Sequence, residues 1–405
     1  MRVMYLNPSG QLGGAETGLL EILASLRHAQ PAWTLHLLVA GEGPLAARVA
    51  ALGVSTAVLA FPPSIARLGE SGGSFAGHRS RFLWQLALSA APIAAYLGRL
   101  RAAIRDFAPD VVHTNGFKMH LLGARTDRGP KLVWHLHDYL SSRPMSARLL
   151  RRSRLRCAAV VANSASVAND VRQTIGNDVN VFTVRNAVDL VRFNPVGDRM
   201  NLDERAGLPA AAPDAVRVGL LGTFARWKGH ITFLEAIARV PRHVPIRGYV
   251  IGDAVYDTEG SQRSRSELMH VVERLGIGDR VGFTGFVAHA ESALRALDVV
   301  VHASTSPEPF GLVIAEAMAC ERPVIVSLAG GAAEIVTVGV DALGHQPADV
   351  AQLAARITEL AIDPALRSRI GRAARATAER CFDRARLAKE LAPIYQSVLT
   401  SDGPR

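Results

Sequence analysis

Val299-Val-Val-His302-Ala-Ser304-Thr-Ser-Pro-Glu308-Pro-Phe310-Gly311-Leu312-Val-Ile-Ala-Glu316 decides how this chain folds. A run of valines ends in a polar loop broken by two prolines, and an apolar run follows. Consecutive apolar residues without alternation mark a strand covered on both faces. Such a strand followed by a helix is half of a parallel βαβ unit. The strand spans 297–302, and Phe310 and Gly311 begin a helix that runs to about Ala319.

The same grammar repeats outward from this unit. On its C-terminal side the next strand falls near 322–327, and on its N-terminal side strands fall near 216–222, 246–252 and 280–285. The first half carries strands near 2–7, 34–39, 54–59, 110–113, 131–136, 158–162 and 180–184. Amphipathic or Ala-rich helical patterns lie between them. Two doubly wound α/β domains satisfy this alternation. Their boundary lies within Asn186–Ala215, which holds Pro195, Gly197, Gly207, Pro209 and Pro213 and no long periodic run. A last helical pattern, Arg384 to Leu399, follows Asp383, a suitable N-cap.

Composition agrees with two full cores: 405 residues, 49% hydrophobic and 20% charged, exclude a largely disordered chain. Cys157, Cys320 and Cys381 form no C-x-x-C pair, which argues against a disulfide framework and a cysteine zinc site and fits a reduced, cytosolic compartment. The longest apolar segment, Phe82–Leu97, reads as a helix. It is short for a membrane span and contains Gln85, Ser89 and Pro92. The opening residues read as a buried strand and not as a signal peptide. The formal charge is +10, and 42 of the 46 cations are Arg. Residues 1–190 carry 21 basic and 11 acidic side chains, whereas residues 191–405 carry 25 of each. The whole surplus therefore sits in the first half.

Three loops hold the chemistry. Gly10-Gln-Leu-Gly13-Gly14-Ala-Glu16 follows the first strand, so its glycines allow a sharp turn and close backbone approach to a ligand. The spacing differs from the dinucleotide G-x-G-x-x-G. Gly222-Thr223-Phe-Ala-Arg226-Trp-Lys228-Gly229 places two cations just before a helix, which suits a phosphate-bearing ligand. In the third loop Glu308 and Glu316 bracket an apolar stretch. The amides of Phe310 and Gly311 are placed to receive a diphosphate, and Glu316 to accept from vicinal hydroxyls.

Taken together, these strings resemble a known family. Ser306-Pro-Glu-Pro-Phe-Gly-Leu-Val-Ile-Ala-Glu-Ala-Met-Ala319 resembles the E-x7-E segment of retaining glycosyltransferases of family 4, which have the two-domain GT-B fold. Gly222–Gly229 resembles that family's G-R-x-x-x-x-K-G segment, and Gly13–Glu16 its N-terminal glycine loop. His113, within Asp110-Val-Val-His-Thr, falls where the family often has such a run. Val184–Asp189 resembles the hinge between domains, and the Ala392-Pro-Ile-Tyr395 helix resembles one that crosses back to the first domain.

The resemblance implies an acceptor-binding domain at 1–185, a nucleotide-sugar domain at 186–382 facing it across a cleft, and a returning helix at 383–405. It implies that Glu316 holds the ribose hydroxyls, Glu308 contacts the donor sugar, and Lys228 neutralises the departing diphosphate. Phe310, Gly311 and Leu312 would bind sugar and phosphate, the backbone of Gly13 and Gly14 would meet the donor, and Phe286 would lie by the base. His137 would stand beside the anomeric centre, with Glu16, Lys118 and Asp138 as acceptor-side candidates. Two positions depart from the pattern. Thr223 stands where the family usually has Arg, so we assign the missing charge to Arg226; Ala187 replaces the hinge glycine.

The expected activity is transfer of a sugar from a UDP-, GDP- or other nucleoside-diphosphate sugar to a glycan, lipid-linked or small-molecule acceptor, in bacterial glycan, glycolipid or polysaccharide biosynthesis. Domain closure would assemble the site. The alternatives on the same fold are an epimerase, a phosphorylase or a non-catalytic binder. No metal or other cofactor is expected: there is no D-x-D, and His135 and His137, which share a strand face, have no third ligand at a recognisable spacing. Six arginines between Arg143 and Arg156, and those flanking Phe82–Leu97, make an anionic membrane surface a candidate partner, with the protein on the cytoplasmic side. Nucleic acid is not expected as a partner, for the sequence has no aromatic-interleaved basic patch and no recognised binding motif.

Overall fold

The structure, a computed structural model, describes residues 1–66, 90–254 and 261–400. The chain divides into two compact units, Met1–Asn186 with the C-terminal segment from Arg384, and Ala187–Asp383.

In the first unit seven strands form one parallel sheet: β1 (Arg2–Asn7), β2 (Thr34–Val39), β3 (Ser55–Val58), β4 (Val111–Asn115), β5 (Lys131–Leu136), β6 (Cys157–Ala162) and β7 (Val181–Thr183). The order is β3-β2-β1-β4-β5-β6-β7. Helices cover both faces, so the sheet is buried: Val3 to Leu6 and Val160 to Ala162 are at most 1% exposed, as are the polar Asn7, His113, Thr114, Asn115 and His135 on the inner strands. The helix Ala90–Phe107 buries Tyr96, Leu97, Leu100 and Ile104. It extends well beyond the expected Phe82–Leu97 helix, whose residues 82–89, with Arg79 and Arg81, lie outside the described residues. Arg99, Arg101 and Arg105 are thus inside a helix and do not flank one. The i, i+4 spacing of Tyr96, Leu100 and Ile104 continues the buried stripe past Leu97.

The C-terminal helix Ala385–Thr400 belongs to this unit. It packs on the helix Gly14–Ala29 and buries Leu387, Leu391, Ile394, Tyr395 and Val398. Arg384 pairs with Glu21 at 3.3 Å, and the Ala388 amide donates to Ser25 Oγ at 3.0 Å.

The second unit has β8 (Val216–Leu221), β9 (Ile246–Ile251), β10 (Val281–Gly285), β11 (Val299–His302), β12 (Val324–Ser327) and β13 (Leu343–His345), all parallel, in the order β10-β9-β8-β11-β12-β13. Strand β13 was not expected from the sequence. Its three residues include Gly344 and carry no apolar run, and pairing with β12 makes it a strand. In each sheet the order reverses once, between β1 and β4 and between β8 and β11. At such a reversal, beyond the carboxyl ends of the strands, open α/β sheets hold their ligands.

Candidate functional site

At the second unit's reversal, two loops are pressed together. The Arg226–Lys228 turn is a short 3₁₀ helix and ends at Gly229, whose φ is +76°. A Cβ at Gly229 would collide with the Ala303 carbonyl just past β11, so only glycine fits there. The Thr305 amide donates to the Trp227 carbonyl at 2.7 Å. The backbone of Glu308 bridges to Gly330 after β12, with the Gly331 amide donating to the Glu308 carbonyl at 2.7 Å.

These backbone ties bring Lys228 Nζ to 3.0 and 2.9 Å from the two carboxylate oxygens of Glu308. The ammonium also lies over the Trp227 ring, 4.1 Å from its centroid. Ser304 Oγ donates to Glu308 Oε2 at 2.8 Å, and His302 Nε2 lies 3.2 Å from the same oxygen. Glu308 is 7% exposed. Burial alone would push its carboxyl up, but the Lys228 charge and the hydrogen bonds from His302 and Lys228 outweigh it and bring it down to about 2.

The helix that follows is Leu312–Ala319, with Gly311 as N-cap at φ +86°. It starts later than expected, because the left-handed backbone at Gly311 breaks the helical run before Leu312. Phe310 is not helical; its ring is 2% exposed and meets Phe382 edge to face at 6.0 Å, so its side chain serves the core. Glu316 and Leu312 are half-buried on this helix, as is Thr223 in the preceding loop. Arg226, assigned above to the missing charge, is exposed and lies 3.4 Å from Glu267 on another helix. The Phe286 ring is 60% exposed, and its carbonyl accepts from Arg205 at 3.1 Å.

The first unit's reversal holds a hydrogen-bonded chain. Glu16, third residue of the helix Gly14–Ala29, accepts from the Gly13 amide at 3.1 Å and from Asn7 Nδ2 at 3.2 Å. Asn7 Nδ2 also donates to the Ser9 carbonyl at 2.6 Å. Asn115 Nδ2 donates to Asn7 Oδ1 at 2.7 Å, and His137 Nε2 reaches Asn115 Oδ1 at 2.6 Å. A carbonyl accepts only, so each amide orientation dictates the next and His137 carries its proton on Nε2. Burial pushes the His137 imidazole down to about 4 and keeps it neutral. Glu16, an acceptor-side candidate above, is engaged here as an internal cap, with its carboxyl raised by burial.

Asn7 and Asn115 were not singled out from the sequence; the available signal was a polar residue closing each of two neighbouring apolar strands. His302 closes β11 in the same manner. His135 is 1% exposed beside His137, with ring centroids 4.0 Å apart, and His113 is fully buried and bonded to Tyr395 Oη at 2.7 Å. Lys118 donates to the Ala66 carbonyl, and Asp138 lies 3.7 Å from Arg143. Among the described residues, no atom outside Gly14, its chain neighbours and the adjacent helix backbone lies within 4 Å of where a Gly14 Cβ would sit. Among the described residues no group of three His, Cys, Asp or Glu side chains is arranged to hold a metal. Among them, too, no helix is long and apolar enough to cross a membrane.

Two family models match, one to each unit: residues 12–192 match "Glycosyltransferase Family 4" and residues 210–377 match "Glycosyl transferases group 1". The chain belongs to glycosyltransferase family 4. Its fold class is GT-B, with two parallel-sheet α/β domains of seven and six strands. A structure of Anabaena HepE in complex with UDP-glucose superposes with a TM-score of 0.80 at 26% identity, covering 98% of this chain and all of that one. A D-inositol 3-phosphate glycosyltransferase of Streptomyces bingchenggensis is 32% identical over 59% of this chain and 53% of its own length. The lipopolysaccharide core biosynthesis glycosyltransferase LpsD of Rhizobium meliloti is 28% identical over 67% of this chain and 71% of its own. The chain spans about half the length of the first curated relatives it matches.

Proposed function

We propose that this family 4 member transfers a sugar from a nucleoside-diphosphate sugar to an acceptor hydroxyl, with retention of configuration and without a metal. The observation that carries the reading is the Lys228–Glu308 pair at the carboxyl ends of β8 and β11, beside the helix that bears Glu316. HepE, solved with UDP-glucose, supports a donor of that class. In this reading Lys228 and the amides of Phe310, Gly311 and Leu312 stabilise the anionic leaving group, Glu316 holds the ribose, and Phe286 lies by the base. Glu308 and His137 face the sugar. Arg226 and Thr223 border the phosphates, and Gly13 and Gly14 border the donor. The acceptor oxygen forms its bond to the anomeric carbon on the face from which the diphosphate oxygen departs. The departing phosphate takes the acceptor's proton, so no protein base is required. Charge stabilisation at the leaving group then supplies most of the rate.

A screen of UDP- and GDP-sugars for donor-dependent transfer, with NMR of the product's anomeric centre, tests this. Lys228→Ala is expected to lower kcat by about 10²–10³-fold, and Glu316→Ala to weaken UDP binding. An inverted product, or full turnover in Lys228→Ala, overturns the reading.

The first unit would receive the acceptor, with Lys118 and Asp138 near it, on the cytoplasmic side of a membrane. Arg148, Arg151 and Arg152 are exposed on the helix Pro144–Ser153 and its end, next to Leu155, which is 67% exposed. Two neighbouring cations are engaged within the unit: Arg154 with Asp178 at 2.7 Å and Arg156 with the Asp127 carbonyl at 3.1 Å. Arg143, also exposed, lies 3.7 Å from Asp138, so an anionic surface would meet chiefly Arg148, Arg151 and Arg152. Flotation with phosphatidylglycerol vesicles is expected to carry the protein at low salt and release it at high salt. A triple Arg→Gln variant at these positions should not float.

A further inference from the structure

The Lys228–Glu308 pair poses an electrostatic problem for a phosphate-binding reading. A lysine already neutralised by a buried carboxylate has no net charge to offer a diphosphate. If the ligand draws Lys228 away, a nearly buried carboxylate loses its counter-ion, which is strongly unfavourable unless other donors hold it. The structure supplies two such donors.

Ser304 is 1% exposed and donates to Glu308 Oε2 at 2.8 Å. His302 is 4% exposed, and its Nε2 lies 3.2 Å from that oxygen and 3.0 Å from Ser304 Oγ. Because Glu308 is ionised it only accepts, so Nε2 carries the imidazole proton and shares it between the two oxygens. The His302 carbonyl is itself held by His345 Nε2 at 3.2 Å, and the Ser304 carbonyl accepts from Ser327 Oγ at 2.6 Å. Both donors are therefore anchored to neighbouring strand ends.

We propose that Ser304 and His302 are positioning residues that form a clamp for ion-pair exchange: an incoming diphosphate takes Lys228 from Glu308, and the clamp keeps the Glu308 carboxylate ionised and in place. Glu308 then acts as an internal stand-in for the ligand's anion. The idea rests on the donor-site reading above. The clamp changes how strongly Glu308 depends on Lys228, and through that dependence it sets how readily Lys228 is released.

The test is a double-mutant cycle read by calorimetric binding of pyrophosphate, which has the diphosphate charge without base or sugar. Glu308→Gln removes the competitor and should tighten pyrophosphate binding about tenfold. The clamp variant Ser304→Ala/His302→Leu should weaken it about tenfold when Glu308 is present and have no effect in the Glu308→Gln background. His302→Gln, which restores an N–H near the Nε2 position, should recover part of the loss. Equal weakening in both backgrounds would mean a merely structural role and overturns the proposal, as would a clamp variant that binds like wild type. A positive cycle with no transfer from any nucleotide sugar would instead overturn the donor reading alone.

Discussion

Asn115 illustrates how much one buried side chain decides. It is 1% exposed, and it links Asn7 at the end of β1 to His137 just past β5. Its amide has one donor facing an oxygen and one oxygen facing a donor, so the isosteric change to an apolar residue strands both neighbours. Asn115→Leu should cost about 1–3 kcal/mol for each buried group left without a partner. Urea denaturation checks this. The same variant frees His137 to take either tautomer, so turnover should fall more than donor binding does. Glu308 and Lys228 show the complementary case, in which a charge is buried because three donors meet it.

At the scale of elements, the C-terminal helix Ala385–Thr400 is a structural member of the first unit despite its distance in sequence. Leu391 on it is fully buried. Tyr395 Oη bonds His113 Nδ1 at 2.7 Å and lies 3.2 Å from Tyr5 Oη on β1. Leu391→Ala should cost about 2–5 kcal/mol, the usual range for a core leucine. Hydrogen exchange should show the loss in the strands of the first unit and spare those of the second. Equal loss in both would contradict this assignment of the helix. The loop elements obey a similar logic. Lys228 meets Glu308 because Gly229 lets one loop lie against the other, and glycine is required by that approach more than by the turn itself.

For the whole molecule, the first unit contains an acid-sensitive core. His113, His120, His135 and His137 are held below the usual imidazole range by burial, with His113 at about 3 and His137 at about 4. The unfolded chain, with histidines near 6.5, takes up these protons first as pH falls. Their contribution to stability is therefore complete above about pH 6.5. It declines at about 1.4 kcal/mol per pH unit for each histidine until the folded-state values are reached. Glu308, lowered to about 2, loses its contribution only below the ordinary carboxylate range. Thermal melts between pH 7 and pH 4.5 should thus show a steep loss before carboxylates titrate. Replacing His120 and His135 with apolar residues should flatten it.

Much of this architecture is legible in the residues. Unalternating runs such as Val299–His302 mark strands buried on both faces, and glycines and prolines mark the turns. This periodicity is local, so the alternation of strand and helix, the α/β class and the loops with ligand chemistry follow from the chain alone. The charge asymmetry, the three loop motifs and the resemblance to family 4 are likewise properties of the string. Tertiary structure decided what depends on contact between distant residues. It joined Leu343–His345 to β12 as a strand, delayed the helix start to Leu312, just after Gly311, turned Arg226 toward Glu267 and engaged Glu16 as a cap. It also brought His302 and Ser304 onto Glu308, and Asn7 and Asn115 into line with His137. A hydrogen bond needs a partner within about 3 Å, and sequence spacing does not encode which distant side chain will be there.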